Sequence, residues 1–164
     1  RTAALLTLAL VVVVTLPLAL ALAPLSIDGA HLARRLVEAG DARAMLERAV
    51  AVARGEGGAR AAARFNDRRG DFVKDDLYVF MVNMESGRFE AMGMNPALSD
   101  TDALGLRDAA GNPLIAEMIA RLQQADEATV DYVWRNPVTN AVEHKRSYVR
   151  KVGKSLVGVG HYLE

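Results

Sequence analysis

Apolar positions follow three different patterns along this chain. From Thr2 to Ile27 no residue is charged and the run is apolar all round. From Asp28 the pattern turns helical. Leu32, Leu36 and Val37, then Met45, Leu46, Ala49, Val50 and Ala53, recur at three- and four-residue spacing, which predicts one apolar stripe. Ser26 or Asp28 is suited to cap its start. Gly40-Asp41 lies inside the pattern as a bend or a break. Gly55-Glu56-Gly57-Gly58 ends it, since each glycine costs up to ~1 kcal/mol in a helix relative to alanine. A second short helix is expected over Ala59–Asn66, anchored on the core by Phe65.

After that the period shortens. Asp76–Asn83 reads as a strand, rich in β-branched and aromatic residues and apolar on both faces, so both sides of its sheet should be covered. Glu85-Ser86-Gly87-Arg88 signals a hairpin, and Phe89–Met94 is the returning strand. Asn95-Pro96 breaks it, and a polar loop runs to Gly111-Asn112. Pro113 opens a helix at a position where its missing N–H costs nothing. Ile115, Met118, Ile119 and Leu122 form that helix's buried stripe. Asp131–Tyr162 then reads as three strands: Tyr132–Trp134, Glu143–Lys151 and Leu156–Tyr162. They are separated by turns at Asn136-Pro137-Val138-Thr139-Asn140 and Gly153-Lys154. Two helices, a hairpin, a helix and three antiparallel strands make an α+β fold, with a long N-terminal helix to cover a PAS-like antiparallel sheet of about five strands.

Composition refines this reading. The 164 residues suffice for one domain of ordinary size. Arg1 is the only charged residue before Asp28, so the remainder carries 19 basic against 20 acidic residues. A balanced charge argues against nucleic acid, which needs a basic stripe or excess. With no cysteine there is no disulfide, thiolate nucleophile or Cys-based metal site. The N-terminal run has a positive flank, and both Ala19-Leu20-Ala21 and Ala21-Leu22-Ala23 fit a signal-cleavage pattern. Pro24 hinders the later site. A run of about twenty apolar residues is also long enough to span ~30 Å of hydrocarbon as a helix. Residues 1–25 are therefore read as a signal peptide or a membrane anchor, and 28–164 as an exported domain, secreted or anchored on the periplasmic or extracellular side.

The ordered motifs carry a resemblance. Phe65, Asp75-Asp76-Leu77-Tyr78-Val79-Phe80, Asn95-Pro96 and Asp108-x-x-Gly111 resemble the single Cache domain, type two. So do Asp131-Tyr132-Val133-Trp134, Asn136-Pro137-Val138-Thr139, Lys145-x-Ser147-Tyr148-Val149 and Gly158-Val159-Gly160-x-Tyr162. The likeness covers about Ala30 to Tyr162. It implies an extracytoplasmic small-molecule sensor, in signal transduction or chemotaxis, of the kind carried by chemoreceptors and histidine kinases. The chain ends two residues after the last motif, as in stand-alone members or as in a fragment of a receptor.

In sensors of this type the ligand lies between the sheet and the segment after the first hairpin. Tyr78 and Phe80, Tyr132 and Trp134, and Arg146 and Tyr148 are pairs spaced by two, each sharing one side of its strand. Aromatic walls with one cationic donor suit a small carboxylate, which arginine grips with two hydrogen bonds. If Arg146 points inward, Lys145 points away; the family pattern carries the lysine, so the opposite register is equally open. His161 reads either as a histidine satisfied within the fold or as one that reaches the same pocket. His31 and His144 share no spacing with it. Asp100-x-Asp102 fails as a calcium loop, because Leu104 and Gly111 stand where oxygen ligands are needed. Asp75-Asp76 reads as a turn into the strand, and Met81, Met84, Met92 and Met94 as core filler. No nucleophile–base pair, metal site or cofactor motif appears, so a non-enzymatic binding module for a small organic acid is expected. The alternative is an accessory or interaction domain that docks on a membrane receptor or kinase without a ligand.

Overall fold

A computed structural model describes residues 27–163. The apolar segment read as a signal or anchor lies outside them, and so does the capping by Ser26. Among the described residues no helix is long and apolar enough to cross a membrane.

Helix α1 (Ile27–Glu56) runs unbroken through Gly40, over a length of about 45 Å. The alanine, leucine, arginine and glutamate around Gly40 are strong helix formers and outweigh one glycine. Ala42, Met45, Leu46, Ala49, Val50 and Ala53 form its buried stripe. Leu32, Leu36 and Val37 continue that stripe in sequence but are exposed, 58–65% of each surface facing solvent. The stripe outlasts the sheet beneath it: the first half of α1 extends past the packed core. Helix α2 (Gly58–Phe65) turns back at Gly57, which adopts φ 82, and buries Phe65 edge-on against Phe72 at 4.8 Å.

The six strands are β1 (Val73–Lys74), β2 (Leu77–Asn83), β3 (Arg88–Met92), β4 (Glu127–Arg135), β5 (Val142–Val152) and β6 (Ser155–Tyr162). All pairings are antiparallel. The order is β1-β2-β6-β5-β4, with β3 also on β2, so β2 and β6 sit centrally. The two-residue β1 escapes a pattern search because it is too short to show alternation. Helix α3 (Leu114–Leu122) follows Pro113 and buries Leu114, Ile115, Met118, Ile119 and Leu122. It packs on the sheet face opposite α1, so the sheet is sandwiched between two apolar clusters.

The motif residues outside the strands hold turns. Asn83 Oδ1 accepts from the backbone of Glu85 and Ser86, and Gly87 takes φ 69 to close the hairpin. Buried Asn136 does the same for Val138 and Thr139 and donates to Glu143 at 2.9 Å. Asp108 accepts from the backbone of Ala110 and Asn112 and from the Asn112 side chain. Together with the bond from Ala109 N to Val133 O, this fastens the loop ahead of α3 to β4.

Candidate ligand site

The strands are read most easily row by row. Tyr132 on β4 pairs with Lys145 on β5, which pairs with Tyr162 on β6. Because side chains alternate along a strand, these three share one face with Tyr78 and Phe80 of β2, Ser147 of β5 and Trp134 of β4. This is the α3 face. Lys145 Nζ lies 4.1 Å from the Tyr78 ring centroid and 4.4 Å from that of Tyr162. Tyr132 meets Trp134 edge-on at 6.2 Å, and its hydroxyl shares a 2.8 Å hydrogen bond with Ser147 Oγ. The Tyr162 hydroxyl donates to Arg135 O at 2.8 Å.

Two glycines make room for this. A methyl at Gly158 would run into the Phe80 ring, and one at Gly160 into Ser147 Oγ and, at 2.7 Å, Lys145 Cε. Phe80 therefore lies across bare backbone at Gly158, and the lysine stem crosses β6 at Gly160. Between the sheet and α3, Tyr78, Phe80, Met92, Leu106, Leu114, Ile115, Met118, Tyr132 and Trp134 enclose a cavity of about 20 Å³, room for roughly one water. Lys145 does not line this cavity; the Tyr78 ring, which does, separates it from the lysine Nζ.

The electrostatics of the site follow from its dryness. Lys145 is 1% exposed, and its Nζ has no hydrogen-bond partner among the described residues. Burial pushes its ammonium down to about 7, with Asp76 pulling the other way. Burial also pushes the Tyr78 hydroxyl up to about 12, although Trp134 and Tyr162 counter it by hydrogen bonding. Tyr132 and Tyr162 are raised further by the same cause, so all three hydroxyls stay protonated donors.

Three of the expected site residues lie elsewhere. Arg146 faces the opposite side of the sheet, where it holds Asp131 through two hydrogen bonds of 2.7 and 2.6 Å. Tyr148 belongs to the α1 cluster, with the Arg43 guanidinium 3.9 Å over its ring. His161 stacks on Tyr148 at 5.7 Å beneath α1 and is likewise turned from the cavity. The reason is a single parity: Lys145 aligns with Tyr162, and everything one residue away points to α1. Tyr78, Phe80, Tyr132, Trp134 and Lys145 do come together. Ser147, Tyr162, Gly158 and Gly160 complete the site without having been singled out for it. Their sequence signal is the two-residue spacing of each from a residue that was.

Geometry and sequence converge with known proteins at this point. The family model for single Cache domain 2 matches residues 31–164. The chain belongs to that family. A methyl-accepting chemotaxis protein of Pseudomonas putida KT2440, McpP, is 33% identical over 72 residues, 43% of this chain and 13% of McpP. The match thus spans about an eighth of that relative. The sensor fold recurs in a methyl-accepting chemotaxis protein of Vibrio parahaemolyticus, with TM-score 0.65 at 21% identity, covering 82% of this chain and 97% of that one. A periplasmic sensor domain of a chemotaxis protein matches with TM-score 0.57 at 25% identity, over 85% of this chain and 99% of its own. A Cache chemosensory domain described for carboxylic acid recognition matches with TM-score 0.60 at 18% identity, over the same shares. This Cache domain is therefore a sensor module of the kind chemotaxis receptors carry.

Proposed function

We propose that this Cache domain binds a small carboxylate outside the cytoplasmic membrane, with Lys145 as the receiving cation. The observation that carries the reading is the Lys145 ammonium: buried, unpartnered among the described residues and ringed by tyrosines. A buried charge without a partner is costly, and an incoming carboxylate relieves that cost while the cage excludes water. Tyr78 and one hydroxyl of the Tyr132–Ser147 pair supply donors for its oxygens, the Tyr162 proton being held by Arg135 O, and Phe80, Trp134 and Met118 supply apolar walls for a short carbon chain. The small cavity means that α3, or the loop fastened by Asp108, moves outward as the acid enters. On this reading the apolar residues 1–25 export or anchor the domain, and its partner is a membrane receptor or histidine kinase. The reading includes no catalytic role.

The same small cavity favours a second reading, an interaction domain with a closed core and no ligand. Calorimetry separates the two. The protein is titrated with short monocarboxylates, dicarboxylates and amino acids, and Lys145→Met serves as the control. Saturable binding of a short acid, weakened at least about tenfold in Lys145→Met, is expected, a loss of ~1.4 kcal/mol or more. Heats absent across the whole panel would leave the interaction reading standing.

A further inference from the structure

The seam between α1 and the outer strand β4 holds a cleft of about 330 Å³, on the α1 face of the sheet. Arg43 and Glu47 stand one turn apart on its helix wall, and Glu127 and Thr129 stand two residues apart on its strand wall. Strand β5 fills the floor between them, where Tyr148 pairs with Thr129 and Arg150 with Glu127. Leu46 adds an apolar patch from α1. The cleft is of ligand size, whereas the cavity among the tyrosines has room for roughly one water.

Its charges are matched only in part. Arg150 is shared by two carboxylates, Glu47 at 2.8 Å and Glu127 at 2.8 Å. One cation between two anions leaves a negative charge over at that end. Arg43 forms no ion pair among the described residues. Glu47 is within its reach four residues on, yet the guanidinium lies 3.9 Å over the Tyr148 ring instead. That ring is held in turn by His161, stacked beneath it at 5.7 Å. A guanidinium laid on a ring keeps its N–H edge free for an anion. An unmatched positive charge thus stands at the Tyr148 row and an unmatched negative charge at the Arg150 row. The two rows are two strand residues apart, about 7 Å.

We propose that this cleft is a second binding site, and that it takes a small zwitterion of the α-amino acid class. The ligand's carboxylate meets Arg43, with the Thr129 hydroxyl as a further donor, and its ammonium meets Glu127 and Glu47. A simple acid satisfies the arginine alone, and a simple amine the glutamates alone. The site makes no use of Lys145, so it stands or falls apart from the carboxylate reading. Glu47 and Glu127 are more than half exposed, so binding is weak and falls with added salt. Because the ligand touches α1 and β4 together, its binding fastens the helix to the outer strand.

The test is an NMR titration of the full chain at low ionic strength, in the parent and in Lys145→Met, which removes the cation of the tyrosine cage. The probes are glycine, L-alanine and L-serine, with propionate and ethylamine as the single-charge counterparts of alanine. At least one amino acid is expected to shift the amides of Glu127, Ala128 and Thr129 saturably in both proteins. Arg43→Gln and Glu127→Gln should each weaken it about fivefold or more, the scale of a partly exposed charge pair. In Lys145→Met, propionate and ethylamine should bind about fivefold more weakly than alanine, or worse. Amino acids that leave those amides unmoved overturn the site. So does alanine binding that is lost in Lys145→Met and survives Arg43→Gln, since that places the molecule in the cage. Propionate as tight as alanine in Lys145→Met overturns the zwitterion.

Discussion

Lys145 and Arg146 are neighbours on β5, and the sheet separates them completely. The lysine ammonium lies inside the tyrosine cage, 4.1 Å from the Tyr78 ring. The arginine guanidinium lies on the other face, 2.6 Å from Asp131. One is a buried cation with no hydrogen bond, and the other a paired cation in reach of water. Two residues of like charge and adjacent position thus do opposite work: Arg146 is already satisfied, and Lys145 is left to meet something else.

This asymmetry predicts opposite mutational outcomes. Lys145→Met fills the same volume without a charge to desolvate, so the ligand-free domain should gain about 1–4 kcal/mol. Arg146→Ala should cost no more than ~1 kcal/mol, the range of an exposed pair, and should leave acid binding intact. The gain at Lys145 depends on pH. The unfolded lysine holds its proton up to about 10.5, whereas the folded one releases it above about 7. The native state's stability is therefore fullest above about 10.5, declines as pH falls, and has lost this contribution once pH passes below about 7. Lys145→Met should remove that slope. Urea unfolding of both proteins at pH 7 and pH 9 measures the difference, and equal slopes would count against a buried lysine.

Gly160 provides a steric test of the same row. A methyl there meets Ser147 Oγ, Lys145 Cε and the Arg146 carbonyl, so relief requires the lysine stem to shift. Gly160→Ala should destabilise by about 1–3 kcal/mol, as overpacking does, and weaken any acid that binds at Lys145. Gly40→Ala is the useful contrast, since a methyl at Gly40 has nothing within 4 Å and its helical backbone has no positive φ. Chemical denaturation and acid titration of both variants check this. A Gly160→Ala protein with parent stability and affinity would mean that the stem crosses elsewhere.

The fold was more legible in the sequence than the site, for a physical reason. Turns announce themselves: Gly87 and Gly153 mark hairpins because few residues suit their positive φ, and Asn136 because its side-chain oxygen accepts from the turn backbone. The α3 stripe and the Met45–Ala53 stripe of α1 are visible because one face of each helix stays wet. The facing of the central strands is different. Every residue of β6 is buried, and so are Lys145, Ser147, Tyr148 and Val149 on β5. A strand covered on both sides shows no polar alternation, so parity cannot be read from it. Two-residue spacing alone therefore places Arg146 and Tyr148 toward the pocket as readily as Lys145, and it does not single out Tyr162 over His161. The reach of α1 was hidden for the complementary reason, since an apolar stripe does not say where the surface beneath it ends.

His161 offers the last test, on the α1 side. Its ring stacks on Tyr148 under α1; Nε2 lies 3.3 Å from the Tyr148 hydroxyl, and Nδ1 has no partner among the described residues. Burial holds its titration below the ordinary histidine value; Glu38 of α1 pulls it up, and Arg146 and Arg35 push it down. The unfolded chain takes up this proton near pH 6.5, and the folded domain does so only at lower pH. The contribution is therefore whole above about 6.5 and is lost as pH falls through that value toward the folded one. His161→Phe keeps an aromatic ring against Tyr148 and has nothing to protonate. Its urea midpoint should fall less between pH 7 and pH 5 than that of the parent, and acid binding at Lys145 should survive at pH 7. Loss of that binding in His161→Phe would instead place the imidazole in the ligand's path, against the geometry of β6.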